Sequence, residues 1–128
     1  MKLLLDTHAF IWMDRQPDKL PARTYEACRN ADNSLFLSVV SVWEMQIKVS
    51  LGKLRFSRSL RDVVEAQCSN GVTILPVKLP HLWRLADLPA LHNDPFDRLL
   101  IAQSLDEDLH LISNDAAVRN YPVQLFWE

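Results

Sequence analysis

Five short apolar runs punctuate the chain: "KLLL" at 2–5, "SLFLS" at 34–38, "VTILP" at 72–76, "LHLIS" at 109–113 and "VQLF" at 123–126. Runs this short, rich in leucine and β-branched residues and bounded by polar positions, read as buried strands. Between them apolar residues recur at helical spacing, which predicts helices over roughly 7–14, 21–30, 41–51, 59–69, 79–87 and 95–107. Strands separated by helices pair in parallel through right-handed crossovers, with helices on both faces of the sheet. The expected architecture is a three-layer α/β/α fold around a mostly parallel sheet of about five short strands, with residues 1–128 forming a single domain.

Composition narrows this picture. With 48% hydrophobic residues the chain can fill a core without staples. Its two cysteines, Cys28 and Cys68, match no zinc or redox spacing and read as buried thiols of a reducing cytoplasm. The opening "MKLLLDTHAFIWM" does not read as a signal peptide, because Asp6 interrupts the apolar run, and no run is long enough to span a membrane. Only two glycines occur, Gly52 and Gly71, each just past a helical segment where a left-handed cap is expected, so phosphate-cradling glycine loops are excluded. Sixteen acidic against fourteen basic side chains give a net charge of −2. Any nucleic-acid contact must therefore come from a local patch such as "KLRFSRSLR" at 53–61.

In an open parallel sheet, ligands bind beyond the carboxyl ends of the strands. Carboxylates gather at those positions. Asp6 follows the first strand, Asp115 follows "LHLIS" after one asparagine, Glu44 lies in the helix after "SLFLS", and Asp94 and Asp97 open the helix before "LHLIS". Each has a local explanation. Asp6 can cap the first helix, Ser41 and Glu44 fit an S-x-x-E capping box, Asp94 before Pro95 has the form of an N-cap followed by proline at N1, and Asp115 can cap "AAVRN". Asp97 fits a cap least well, since with Ile101 and Leu105 it heads an apolar stripe that should face the sheet. Glu44 lies at the edge of the arc formed by Trp43, Ile47 and Leu51, with Lys48 about 40° further round, so it either pairs with Lys48 or leans inward. Carboxylates converging on one end of a sheet repel one another and stay ionised only beside a cation. Oxygen ligands without His or Cys point to Mg²⁺ or Mn²⁺ and to phosphodiester chemistry, in which the metal activates water and stabilises the leaving oxygen.

The ordered set "LLLDTHAFIW", "SVVSVWEMQIKVSLGKL", "HNDPFDRLLIAQS" and "LISND" resembles the PIN domain, specifically the VapC-type toxins of bacterial toxin–antitoxin pairs, along the whole chain. The resemblance implies an endoribonuclease whose acidic quartet of Asp6, Glu44, Asp97 and Asp115 binds Mg²⁺ or Mn²⁺. Asp6 and Asp97 are then the direct ligands, Glu44 and Asp115 help hold metal or position water, and Asp94 belongs to an "HxDPFD" variant with a less defined role. Thr7 and Ser113 are implied hydrogen-bonding supports, and Lys48, Lys53, Arg55, Arg58 and Arg98 are candidates for phosphate contacts as well as for a solvated charged face. The family further implies a cytoplasmic homodimer, silenced by a VapB-type antitoxin whose C-terminal segment covers the acidic groove, that cleaves structured RNA to stop translation.

Other readings fit less of the chain. A phosphatase of the haloacid dehalogenase type needs a second acidic residue two positions after the first, where His8 stands, and a receiver-like phosphoacceptor module wants a lysine that "LISND" lacks. Histidine-based cleavage requires two of His8, His81, His92 and His110 to converge, which their spacing does not indicate. A PIN-like module that binds RNA or antitoxin without cutting is the remaining alternative, and the four carboxylates argue against it.

Overall fold

The computed structural model describes residues 1–128. Four strands, β1 (Lys2–Leu5), β2 (Ser34–Ser38), β3 (Val72–Leu75) and β4 (His110–Ile112), form an all-parallel sheet in the order β3-β2-β1-β4. Six α-helices connect them: α1 (Thr7–Arg15), α2 (Ala22–Arg29), α3 (Val39–Ser50), α4 (Leu60–Ser69), α5 (Leu79–Ala86) and α6 (Pro95–Glu107). The pleat sorts the strand residues into two cores. Leu3, Leu5, Leu35, Leu37 and Ile112 pack against Ala9 and Phe10 of α1, Ala27 of α2, Met45 of α3 and Val63 of α4. On the other face Leu4, Leu75 and Leu111 meet Leu100 and Ile101 of α6 together with Val118 and Tyr121. Burial on both faces is why the first strand is an uninterrupted leucine run.

The fifth expected strand, "VQLF", is reduced to one bridge between Leu111 and Leu125. Main-chain groups of successive strand residues point to opposite neighbours, so β4, three residues long and already paired with β1, offers only Leu111 on its outer side. Leu111 uses both groups there, donating to the Gln124 carbonyl at 2.8 Å and accepting from the Phe126 N–H at 3.0 Å.

Helix starts follow their caps, with one correction. α3 begins at Val39, two residues before the predicted start, because the Ser38 hydroxyl accepts from the Val40 N–H at 3.0 Å. Ser41 is therefore inside the helix with its hydroxyl buried and unpaired, and the S-x-x-E capping box does not form. Gly52 and Gly71 do follow helices with positive φ, 72° and 106°, where a side chain would be strained. Cys28 and Cys68 are free and half-buried instead of fully enclosed, and burial lifts the Cys28 thiol to about 11. No helix is long and apolar enough to cross a membrane.

β1 sits between β2, reached by the first crossover, and β4, reached only after the chain returns past β2 and β3. The connections leave β1 in opposite directions, which opens a crevice at the carboxyl ends of β1 and β4.

Candidate acidic site

Asp6 and Asp115 leave β1 and β4 at this crevice. With His8, Trp12 and Asn114 they line an open cavity of about 270 Å³. Asp6 is also the N-cap of α1, its Oδ1 accepting from the Ala9 N–H at 2.7 Å, so the cap and site readings hold together. Desolvation raises its pKa, while the Ser113 hydroxyl and the Ala9 N–H act in the opposite direction. Asp115 is exposed, and its Oδ1 accepts from the Ala117 N–H at 2.9 Å, while its own N–H donates to Ser113 Oγ at 3.1 Å. Ser113 thus ties the two strand-end aspartates into one turn.

Glu44 enters from the buried face of α3. The arc of Trp43, Ile47 and Leu51 faces outward, with Trp43 57% exposed, and the buried face is Val40, Ser41, Glu44 and Met45. Glu44 both pairs with Lys48 and leans inward. Its Oε2 lies 2.9 Å from Lys48 Nζ, and its Oε1 accepts from the Thr7 hydroxyl at 2.7 Å. Thr7, buried one residue after Asp6, thereby ties α3 to the end of β1.

Asp97 arrives from the first turn of α6. Asp94 is the N-cap, accepting from the Phe96 and Asp97 N–H groups at 2.9 and 3.2 Å, with Pro95 at N1. That cap sets the turn from which Asp97 projects, while Ile101 one turn on is fully buried in the core beneath the sheet. Neither carboxylate oxygen of Asp97 accepts a hydrogen bond from within the chain. Desolvation, then the charges of Asp94, Asp115, Asp6 and Glu44, push Asp97 up to about 8. The other four carboxylates of the crevice thus all act on Asp97.

Among the basic candidates, Lys48 is committed to Glu44, and Arg98 donates to the Pro89 carbonyl at 2.8 Å and to the Tyr121 hydroxyl at 3.0 Å. Through Nη1, Arg98 thereby brackets the loop before α6. Lys53, Arg55 and Arg58 lie exposed between α3 and α4.

Sequence reasoning gave no role to His81, which is fully buried. Its Nδ1 accepts from the Lys78 N–H at 3.0 Å, so its proton is on Nε2, which donates to Glu107 Oε2 at 2.7 Å. With Asp106 these groups bring possible ligand atoms within 4.8 Å of one another, but a ring that accepts at Nδ1 and donates at Nε2 has no lone pair left for a metal. It is a tie between the start of α5 and the end of α6, and only the capping-box spacing of Lys78 and His81 hints at it. No three of the crevice carboxylates bring ligand atoms within 4.8 Å of one another.

The chemistry of the donor set fits a divalent metal. Four carboxylates act on Asp97, and Asp115 acts on Asp6; the pKa of Asp97 and of Asp6 is raised, while Lys48 is bound to Glu44. Asp6 and Asp97 would hold the ion, with Glu44 and Asp115 beside them.

Residues 3–123 match the family model described as PIN domain. No curated protein sequence matches the chain. Among solved structures, the chain is similar to VapBC2 from Rickettsia felis bound to a DNA fragment from their promoter, with a TM-score of 0.79, 17% identity and 100% of both chains covered. It is also similar to FitAcB from Neisseria gonorrhoeae, with a TM-score of 0.66, 18% identity and 97% and 96% of the two chains covered. FitAB bound to the IR36 DNA fragment gives a TM-score of 0.64 at 17% identity, covering 97% of this chain and 93% of that one. At such identities the structural likeness speaks for the fold alone. The family match, which spans all four strands and the acidic crevice, goes further: the chain belongs to the PIN-domain family.

Proposed function

We propose that this chain is a Mg²⁺- or Mn²⁺-dependent endoribonuclease of the VapC type, the toxin of a toxin–antitoxin pair, acting as one domain over residues 1–128. The observation that carries the reading is the field at Asp97, where burial and four neighbouring carboxylates raise its pKa to about 8. A fold stabilised for its own sake would not gather these charges. A bound divalent ion supplies a more acidic water and stabilisation of the leaving oxygen. The chain's own residues do the placing. The Asp94 cap fixes the turn that presents Asp97, Ala9 and Ser113 orient Asp6, and Thr7 and Lys48 hold the Glu44 carboxylate by one oxygen each.

Exposed Lys53, Arg55 and Arg58 are suited to contacting RNA phosphates outside the acidic crevice. A VapB-type antitoxin is the proposed partner, by analogy with relatives whose structures are named VapBC2 and FitAB. The outward stripe of Val39, Trp43, Ile47 and Leu51 on α3, with Leu79 and Trp83 exposed on α5, supports a homodimer, and the family context supports a cytoplasmic setting.

The test is cleavage of total RNA by purified protein, with and without Mg²⁺ or Mn²⁺, beside Asp6→Asn and Asp97→Asn. The expected result is metal-dependent cleavage reduced by about 100-fold or more in each variant. Cleavage that survives chelation and both substitutions would overturn the proposal, and metal and RNA binding without turnover would leave a binding module in its place.

A further inference from the structure

Behind Asp97 lies a chain of side chains that the acidic site does not account for. His92, in the loop between α5 and α6, stacks edge-on against Tyr121 with ring centroids 5.3 Å apart, and its Nδ1 lies 2.8 Å from the Tyr121 hydroxyl. The same hydroxyl accepts from Arg98 Nη1 at 3.0 Å. Arginine has only protons to give, so the tyrosine oxygen is the acceptor in that bond and its single proton is free for His92. With that proton given to His92 Nδ1, the neutral ring carries its own proton on Nε2. Tyr121 is 4% exposed, and Arg98 is held a second time by the Pro89 carbonyl, so the orientation is fixed from behind.

The proton selected in this way points at the site. His92 Nε2 is buried, has no hydrogen-bond partner, and lies 3.7 Å from Asp97 Oδ2. That is too long for a hydrogen bond and roughly 0.7 Å from an ordinary one. A buried donor left unpaired beside a carboxylate with no donor of its own is an arrangement in search of one small movement. Metal-binding carboxylates are commonly held through their other oxygen by a hydrogen-bond donor, which fixes their rotation.

We infer that His92 is the positioning residue for Asp97: its Nε2–H, set by the Arg98–Tyr121–His92 relay, hydrogen-bonds Oδ2 and orients the carboxylate toward a divalent cation. The inference rests on the reading of Asp97 as a metal ligand. It assigns the histidine of "HNDPFD" and reunites the stretch, with His92 orienting, Asp94 capping and Asp97 ligating.

Mn²⁺ binding to the full chain, followed by calorimetry, tests it with His92→Phe, His92→Gln, Tyr121→Phe and Asp97→Asn. His92→Phe keeps the ring stack and loses the donor, and is expected to weaken Mn²⁺ binding by about 10- to 100-fold while the urea midpoint in chelator stays near that of the wild type. His92→Gln, whose amide can place an N–H near the Nε2 position, is expected to recover part of that loss. Tyr121→Phe frees the tautomer and is expected to fall between wild type and His92→Phe. In the wild-type protein, ¹⁵N spectra are expected to show the His92 proton on Nε2. A folded His92→Phe variant that binds Mn²⁺ like the wild type, or a proton on Nδ1, overturns the inference. If Asp97→Asn abolishes binding while His92→Phe does not, the relay fails and the metal site stands. If Asp97→Asn also binds normally, both fall.

Discussion

In the absence of divalent metal, Asp97→Asn is expected to stabilise the protein, by an amount that grows with pH. The folded carboxyl titrates at about 8 against an ordinary 3.8, so between these values the folded chain keeps a proton that the unfolded chain has lost. Stability then falls as pH rises, at up to about 1.4 kcal/mol per unit, beginning near the unfolded value and levelling off above the folded one. Between about pH 5 and about pH 7.5 the ceiling for one such group is about 3.4 kcal/mol. Asp97 keeps 19% of its side chain exposed and shares its field with four other carboxylates, so solvent and local adjustment reduce this to about 1–2 kcal/mol. Asparagine has the same shape and no charge to lose. The assay is urea unfolding of wild type and Asp97→Asn in chelator at the two pH values. The variant's advantage should be small at the lower pH and larger by about 1–2 kcal/mol at the higher one. Saturating Mn²⁺ should reverse the order, because only the wild type gains binding free energy in the folded state. A variant less stable than the wild type in chelator at the higher pH, or a difference that does not change with pH, would refute the account.

Two further outcomes separate cap from ligand and site from scaffold. Asp94→Ser should retain the α6 cap and activity within about 3-fold, while Asp94→Ala should lose about 1 kcal/mol in urea unfolding; loss of nearly all activity in Asp94→Ser, with Asp97→Asn active, would mean the two aspartates are assigned backwards. Gln103→Leu should cost about 2 kcal/mol, because Gln103 accepts from Ser38 Oγ at 2.6 Å and donates to the Pro76 carbonyl at 3.2 Å, and its removal leaves the Ser38 hydroxyl buried without an acceptor. Adding Ser38→Ala to that variant should cost less than Ser38→Ala alone, and simple additivity would show that the two are not coupled.

The elements and their caps were legible because their causes are local. The leucine run of β1, the Asp94–Pro95 helix start and the glycines after α3 and α4 each involve residues within a few positions of one another. The four acidic positions could also be found, because strand–helix alternation fixes which residues leave the carboxyl edge of a sheet. Three things were not legible. α3 is capped by Ser38 and not Ser41, since two serines three apart offer equivalent caps and the end of β2 selects the first. Glu44 was left between pairing with Lys48 and leaning inward, and it does both. The bonds of Arg98 to Tyr121 and Pro89 join residues too far apart in the chain to be read from it.

What the sequence determined by itself was the alternation of strands and helices, the parallel sheet this requires, and an acidic residue at each position where a crevice could form. Those follow from periodicity and from short-range hydrogen bonding, which depend only on neighbours along the chain. The tertiary structure decided which side of α3 is inside, that burial and then the charges of four carboxylates lift Asp97 to about 8, and that residues as distant as Tyr121 and His92 meet behind it. Burial and electrostatic coupling depend on separation in space and on excluded water, and neither quantity exists until the chain has packed.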